Sequence, residues 1–198
     1  MLFLAEMPKE ARDKILYAGL LRFTTEGFKA TSVLDIVEMA RVSKTTFYQH
    51  FSSKEELMAG LLRVVTEEIL NEVRHSTARE ERNAYKAYAG IRRYIEICFT
   101  DIKAATLMLV ESVGVSQEVE KVRSEAHRLF ARLIFQTVKG SLPETVSEKE
   151  MHIVSQAMVG AINEVVVQHY NQAAPIEFDE LARLLNRIVI SAFAHLGN

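Results

Sequence analysis

The sequence predicts an all-α chain, with a small N-terminal three-helix domain followed by a larger helical domain. Three observations lead there. Apolar residues recur at three- and four-residue spacing through most of the 198 residues. No stretch alternates convincingly as a strand. The three prolines, Pro8, Pro143 and Pro175, each fall where a helix should begin or end.

The first helix is read from Pro8 to Glu26, with Pro8 in the first turn, where a missing N–H costs little. Ile15, Leu16, Gly19, Leu20 and Phe23 give it an apolar stripe. Gly27 ends it as a left-handed residue, and Phe28 is the apolar follower. The second helix is capped by Thr31 or Ser32, and Ser32 with Asp35 forms a capping box. Val33, Ile36, Val37 and Ala40 make a one-sided stripe. The pattern breaks at Arg41-Val42-Ser43, and Ser43 caps a third helix, Lys44 to Phe51, marked by Phe47 and Phe51. Ser53 with Glu56 opens the fourth, which continues through Leu61, Leu62, Val65, Ile69 and Val73.

A polar stretch, His75 to Asn83, separates this part from the rest. The predicted domains are residues 1–60 and 61–198. Further helices are read at about 84–100, 102–113, 117–140, 147–171 and 177–196, the last two bounded by Pro143, Ser147 and Pro175. Ser147 with Glu150 repeats the capping box.

Composition narrows the class. Apolar residues make up 48 % and charged residues 25 %, enough for a core without staples. The single cysteine, Cys98, excludes an intrachain disulfide and suits a reducing cytoplasm. The opening apolar run, Met1 to Ala5, is too short for a signal peptide or membrane span, and no later run would cross a bilayer. The expectation is a cytoplasmic protein without a membrane partner.

The net charge of −2 gives no nucleic-acid signature for the whole chain. Locally, Arg41 to Lys54 holds Arg41, Lys44, Lys54 and His50 and no acid. Helices two and three with their turn have the form of a helix-turn-helix. Val33, Ile36, Val37, Ala40, Val42, Phe47 and Phe51 supply its core, while Lys44, Thr45, Thr46, Tyr48, Gln49 and His50 point outward. Gln49 suits a bidentate pair with adenine, and Thr45 a base edge or thymine methyl. Lys44, Tyr48 and His50 suit phosphate oxygens. Thr31 and Ser32 begin helix two, where free N–H groups favour a phosphate, and Ser43 holds the same place on helix three. Lys54 is disfavoured by its own helix dipole, which makes sense if it contacts DNA. Helix pairs joined by short turns are common in proteins that bind no DNA, so periodicity alone leaves both readings open.

The stretches Ile15 to Phe23, Glu26 to Val37 and Val42 to Leu57 resemble the DNA-binding domain of the TetR family, over roughly residues 10 to 62. The resemblance implies a three-helix head on an all-helical body. It also implies a homodimer joined through the last two helices, and a small-molecule pocket in each body. By motif position it makes Tyr48, His50 and Lys54 backbone contacts and Thr45 to Gln49 the base-reading region. One departure is Arg41, where the family's turn usually carries glycine. A left-handed arginine costs on the order of 1 kcal/mol, and Arg41 is positioned to add a phosphate contact.

In the body, Tyr85, Tyr88, Ile91, Ile95, Cys98 and Phe99 share a face of helix five. Core packing explains them, and the resemblance makes some of them pocket-lining. Glu111, after Leu107-Met108-Leu109-Val110, and Asn163 place polar groups in apolar surroundings. The candidate ligand set is therefore Tyr88, Ile91, Ile95, Cys98, Phe99, Met108, Glu111 and Asn163, with an apolar or amphipathic effector expected. His127, His152 and His169 lack metal-ligand spacing, and neither a metal nor a cofactor is expected. Ile153, Val154, Ala157, Ala161, Ile162 and Val165, then Phe178, Leu181, Leu185, Ile188, Ala192 and Leu196, give helices eight and nine more apolar surface than one-sided packing needs. A four-helix dimer bundle, with Gly160 permitting close approach, would use it. No phosphate loop or nucleophile elbow is present, so the chain is not read as an enzyme. The leading reading is a repressor that an effector releases from a palindromic operator. The competing one is an all-α small-molecule carrier or sensor without DNA binding.

Overall fold

The computed structural model describes residues 7–139, 146–170, 177–194 and 196. Met1 to Ala5, Pro143, Pro175 and the expected helix ends at 140 and 171 lie outside them. Among the described residues the chain forms α1 (Ala11–Thr25), α2 (Val33–Ala40), α3 (Lys44–His50), α4 (Lys54–Arg79), α5 (Asn83–Thr100), α6 (Ile102–Thr106), α7 (Gln117–Lys139), α8 (Glu148–Tyr170) and α9 (Phe178–Ala194). A π-helical turn, Leu107–Glu111, continues α6. None of the described helices is long and apolar enough to cross a membrane.

Local chemistry sets the boundaries. α1 begins at Ala11 rather than Pro8, because the Glu10 carbonyl accepts the first ladder bond, from Lys14 N–H at 2.9 Å. Gly27 ends it with φ +89°, and Phe28 folds back so that its ring lies 5.1 Å from that of Phe23. The Ser32–Asp35 and Ser147–Glu150 boxes close in both directions. The Ser53–Glu56 box closes in one. Ser53 Oγ accepts from Glu56 N–H at 3.1 Å, but the Glu56 carboxylate takes the Ser52 N–H and hydroxyl, each at 2.6 Å.

The chain divides into two compact units, Met1–Glu68 with Asp101–Ser124, and Ile69–Thr100 with Glu125–Asn198. The division expected at 60/61 thus falls inside α4. Residues 101–124, expected in the second domain, belong to the first unit. There α1 packs on α2 and α3 and also on α6 and the π turn. Its core holds Ile15, Leu16, Leu20, Phe23, Ile36, Val37, Ala40, Phe47, Leu57 and Leu61, whereas Val33 and Val42 are only half-buried. A Cβ on Gly19 would stand 2.8 Å from Leu57 Cδ2, so this glycine lets α1 approach α4.

In the second unit, α5 lies against α9, and α8 packs on both. The polar stretch from His75 continues α4 to Arg79 instead of breaking it. Ser76 Oγ donates to the Ala89 carbonyl at 3.1 Å, and a Cβ on Gly90 would come within 2.8 Å of Thr77 Oγ1. Packing against α5 thus holds a segment whose composition reads as a linker. Ion pairs add Arg93 to Glu72 and Arg92 to Asp179, each at 2.6 Å, part-exposed contacts that solvent screens.

Candidate nucleic-acid interface and ligand cavity

The interface begins with a single anchor. Phe47 is fully buried, its ring 5.3 Å from that of Tyr48 and 6.1 Å from that of Phe51. Burying it fixes the roll of the seven-residue α3, so the other faces point to water. Lys44, Thr45, Tyr48, Gln49 and His50 are exposed, Tyr48 to 57 %. With no carboxylate among them, this face offers a polyanion an ammonium, a hydroxyl, a phenol, an amide and an imidazole.

The turn holding α3 against α2 is a Schellman motif. Arg41 adopts φ 54°, ψ 48°; its N–H donates to Glu38 at 3.2 Å, and that of Val42 to Val37 at 3.1 Å. The left-handed arginine expected from the sequence is present, and its side chain is exposed.

Several candidates have local duties. Ser43 Oγ caps α3 by accepting from Thr46 N–H at 3.0 Å and lies 2.8 Å from Thr46 Oγ1, leaving Thr46 half-buried. Ser32 is exposed but engaged by Asp35, and that hydrogen bond holds the Asp35 carboxyl below the usual carboxylate range. Glu56 is held low in the same way by Ser52. Thr31 differs from the sequence reading in that its side chain is buried. It is 1 % exposed and donates its hydroxyl to the Gly27 carbonyl at 2.9 Å, because the loop after α1 must satisfy that carbonyl internally. Its side chain faces the interior of the first unit.

Lys54 has a partner of its own. Its ammonium donates to the Phe28 and Thr31 carbonyls, each at 2.9 Å, and lies 4.4 Å from the centre of the Phe28 ring. This accounts for a cation at a helix N-terminus without DNA. One of its three N–H donors remains beyond these two bonds. The same loop is held from its other side by Glu111, whose Oε2 accepts from Phe28 N–H at 2.8 Å.

The second unit contains a cavity with about 570 Å³ of space, part of it open to solvent. Of the eight candidate ligand residues, Ile91 and Asn163 line it. The others lie elsewhere. Ile95 and Cys98 are fully buried in the core, Tyr88 lies beside Asp179, and the Phe99 ring lies 5.5 Å from that of Phe178. Met108 and Glu111 belong to the first unit. Tyr94, Lys86, Gly90 and Phe130 line the cavity without having been singled out. Lys86, Gly90 and Tyr94 follow one another at four-residue spacing, a stripe adjacent to the one read from the sequence and sharing Ile91 with it. Tyr94 donates its hydroxyl to Asn163 Oδ1 at 2.6 Å, and burial pushes its phenol well above the usual value.

Comparisons with known proteins bear on the head and on the fold. Residues 15–61 match the family described as bacterial regulatory proteins, tetR family. The chain is 28 % identical over 120 residues to the HTH-type transcriptional activator FasR of Mycolicibacterium smegmatis, covering 59 % of this chain and 55 % of FasR. It is 38 % identical over 56 residues to the HTH-type transcriptional repressor KstR2 of the same organism, covering 28 % of this chain and 27 % of KstR2. These matches thus span about half and about a quarter of the relatives' own lengths. The fold is that of the fatty acid degradation regulator FadR from Bacillus halodurans, with TM-score 0.79 and 16 % identity over 93 % of this chain and 97 % of that one. FadR from Bacillus subtilis, in complex with stearoyl-CoA, has TM-score 0.76 and 16 % identity over 90 % and 97 % of the two chains.

Proposed function

We propose that this chain, whose residues 15–61 match the tetR family of bacterial regulatory proteins, is a dimeric, ligand-responsive transcriptional repressor of that family. The observation that carries this reading is the exposed, carboxylate-free face of α3, held outward by buried Phe47. Thr45 and Gln49 read bases, while Lys44, Tyr48, His50 and the exposed Arg41 hold phosphates. Ser32 and Ser43 set the two helix N-termini, and Lys54 acts on the backbone contact mainly by shaping the loop beside it.

The dimer forms through α8 and α9. Ile153 on α8, with Leu184 and Ile188 on α9, leave 56 %, 42 % and 45 % of their surfaces exposed, and Ala157, Gly160 and Ala161 keep the α8 face low. Two recognition helices about 34–36 Å apart then meet successive major-groove turns of a palindromic operator. An effector that binds the second unit more tightly in another head spacing shifts the population and releases the DNA. The site of action is the cytoplasm and the activity is binding, not catalysis.

Titrating random duplex DNA and a selected palindrome at two salt concentrations tests the reading. A repressor of this kind binds both with a steep salt dependence and prefers the palindrome. Salt-insensitive, negligible binding would leave the carrier reading in its place.

A further inference from the structure

The cavity of the second unit has one chemical asymmetry. Its walls are hydrocarbon, with Val73, Leu133, Val138, Val159 and Ile162 among them. Most of the polar groups that line it are already partnered. Thr77 Oγ1 donates to the Val73 carbonyl at 2.9 Å and Thr137 Oγ1 to the Leu133 carbonyl at 2.8 Å, while Tyr94 is bonded to Asn163. Among the described residues, Lys86 is the only cation in the lining. It makes no hydrogen bond or ion pair among the described residues, and Glu80, whose charge it feels, is held by Arg82 at 2.9 and 3.2 Å. Eight residues, about 12 Å at the α-helical rise, separate Lys86 from Tyr94 along α5. The cavity therefore presents a positive end, a hydrocarbon stretch, and the Tyr94–Asn163 pair further along α5.

We infer that this cavity takes an elongated apolar monoanion, with its carboxylate on Lys86 and its tail running along α5 towards Tyr94 and Asn163. An ammonium with no carboxylate of its own favours an anion, and a half-buried charged hydrogen bond contributes more than a neutral one. A neutral amphiphile gains only the wall contacts, and a cationic one meets Lys86 unfavourably. The inference rests on the reading of the second unit as the effector domain and names the effector's class.

Decanoate, decan-1-ol and decylamine are titrated by calorimetry into the full-length protein without DNA, each below its micellar concentration. Decanoate is expected to bind once per chain, more tightly than the alcohol, with the amine weakest. Lys86→Gln is expected to weaken decanoate roughly ten- to a hundredfold while leaving the alcohol unchanged. Val159→Phe fills the hydrocarbon stretch and is expected to weaken decanoate and alcohol together, with thermal melting to check that it folds. Equal binding of acid and alcohol, no effect of Lys86→Gln, or no binding of decanoate overturns the inference. DNA titration of the same sample keeps the two readings apart. Decanoate binding without DNA binding sinks the repressor and keeps this site, and DNA binding without decanoate binding does the reverse.

Discussion

Lys54 shows how one side chain can satisfy two explanations of the same position. Its bonds to the Phe28 and Thr31 carbonyls give it a structural duty. Lys54→Met, which keeps the stem and removes the donors, should destabilise the head by about 1–3 kcal/mol, read from urea denaturation. Gln49 has no such duty. Gln49→Ala should leave stability unchanged and cost about 1–3 kcal/mol of discrimination at one base pair, seen by selecting bound fragments from a random pool. Arg41 sits in a left-handed conformation that costs a side-chain residue about 1–2 kcal/mol. Arg41→Gly removes that cost but gives the unfolded chain more freedom, so a net gain of about 0.5 kcal/mol is expected in the denaturation midpoint. The same variant should weaken binding to every DNA sequence alike if the guanidinium holds a phosphate.

At the scale of elements, most of the fold was legible because helix boundaries here are written in local chemistry. Ser32, Ser43, Ser53 and Ser147 each cap the helix the sequence assigned to them, and Gly27 and Arg41 end theirs in the left-handed conformation. The outward face of α3 was legible for the same reason, since one buried aromatic fixes the roll of a short helix. The cavity was not. α5 is apolar on more than one side, and periodicity cannot say which stripe meets a void and which meets a neighbour. Nor does the sequence show that Glu111 reaches back across the chain to Phe28, because that bond depends on the π-helical turn presenting the carboxylate. Glu111→Ala should speed hydrogen exchange at the Phe28 amide and slightly weaken DNA binding, with Glu111→Gln restoring both because its carbonyl oxygen can accept the same bond.

For the whole molecule, the exposed apolar side chains of α8 and α9 matter most. If the proposed α8–α9 dimer forms, Ile188→Glu should turn it into monomers in sedimentation. It should also lower operator affinity by about two to four orders of magnitude, since two half-sites would no longer be bound through one linked pair of heads. The discontinuous make-up of the first unit has a practical consequence for anyone cutting the gene. A fragment ending at Glu68 keeps every residue proposed to face DNA, yet it omits the later stretch carrying Ile102, Leu107 and Glu111. Such an excised reader would have a bare flank where α1 expects cover, and an amide at Phe28 with only water to receive it. The head is therefore expected not to behave as a detachable module, and transplanting it means carrying along a piece of chain encoded thirty-odd codons further downstream.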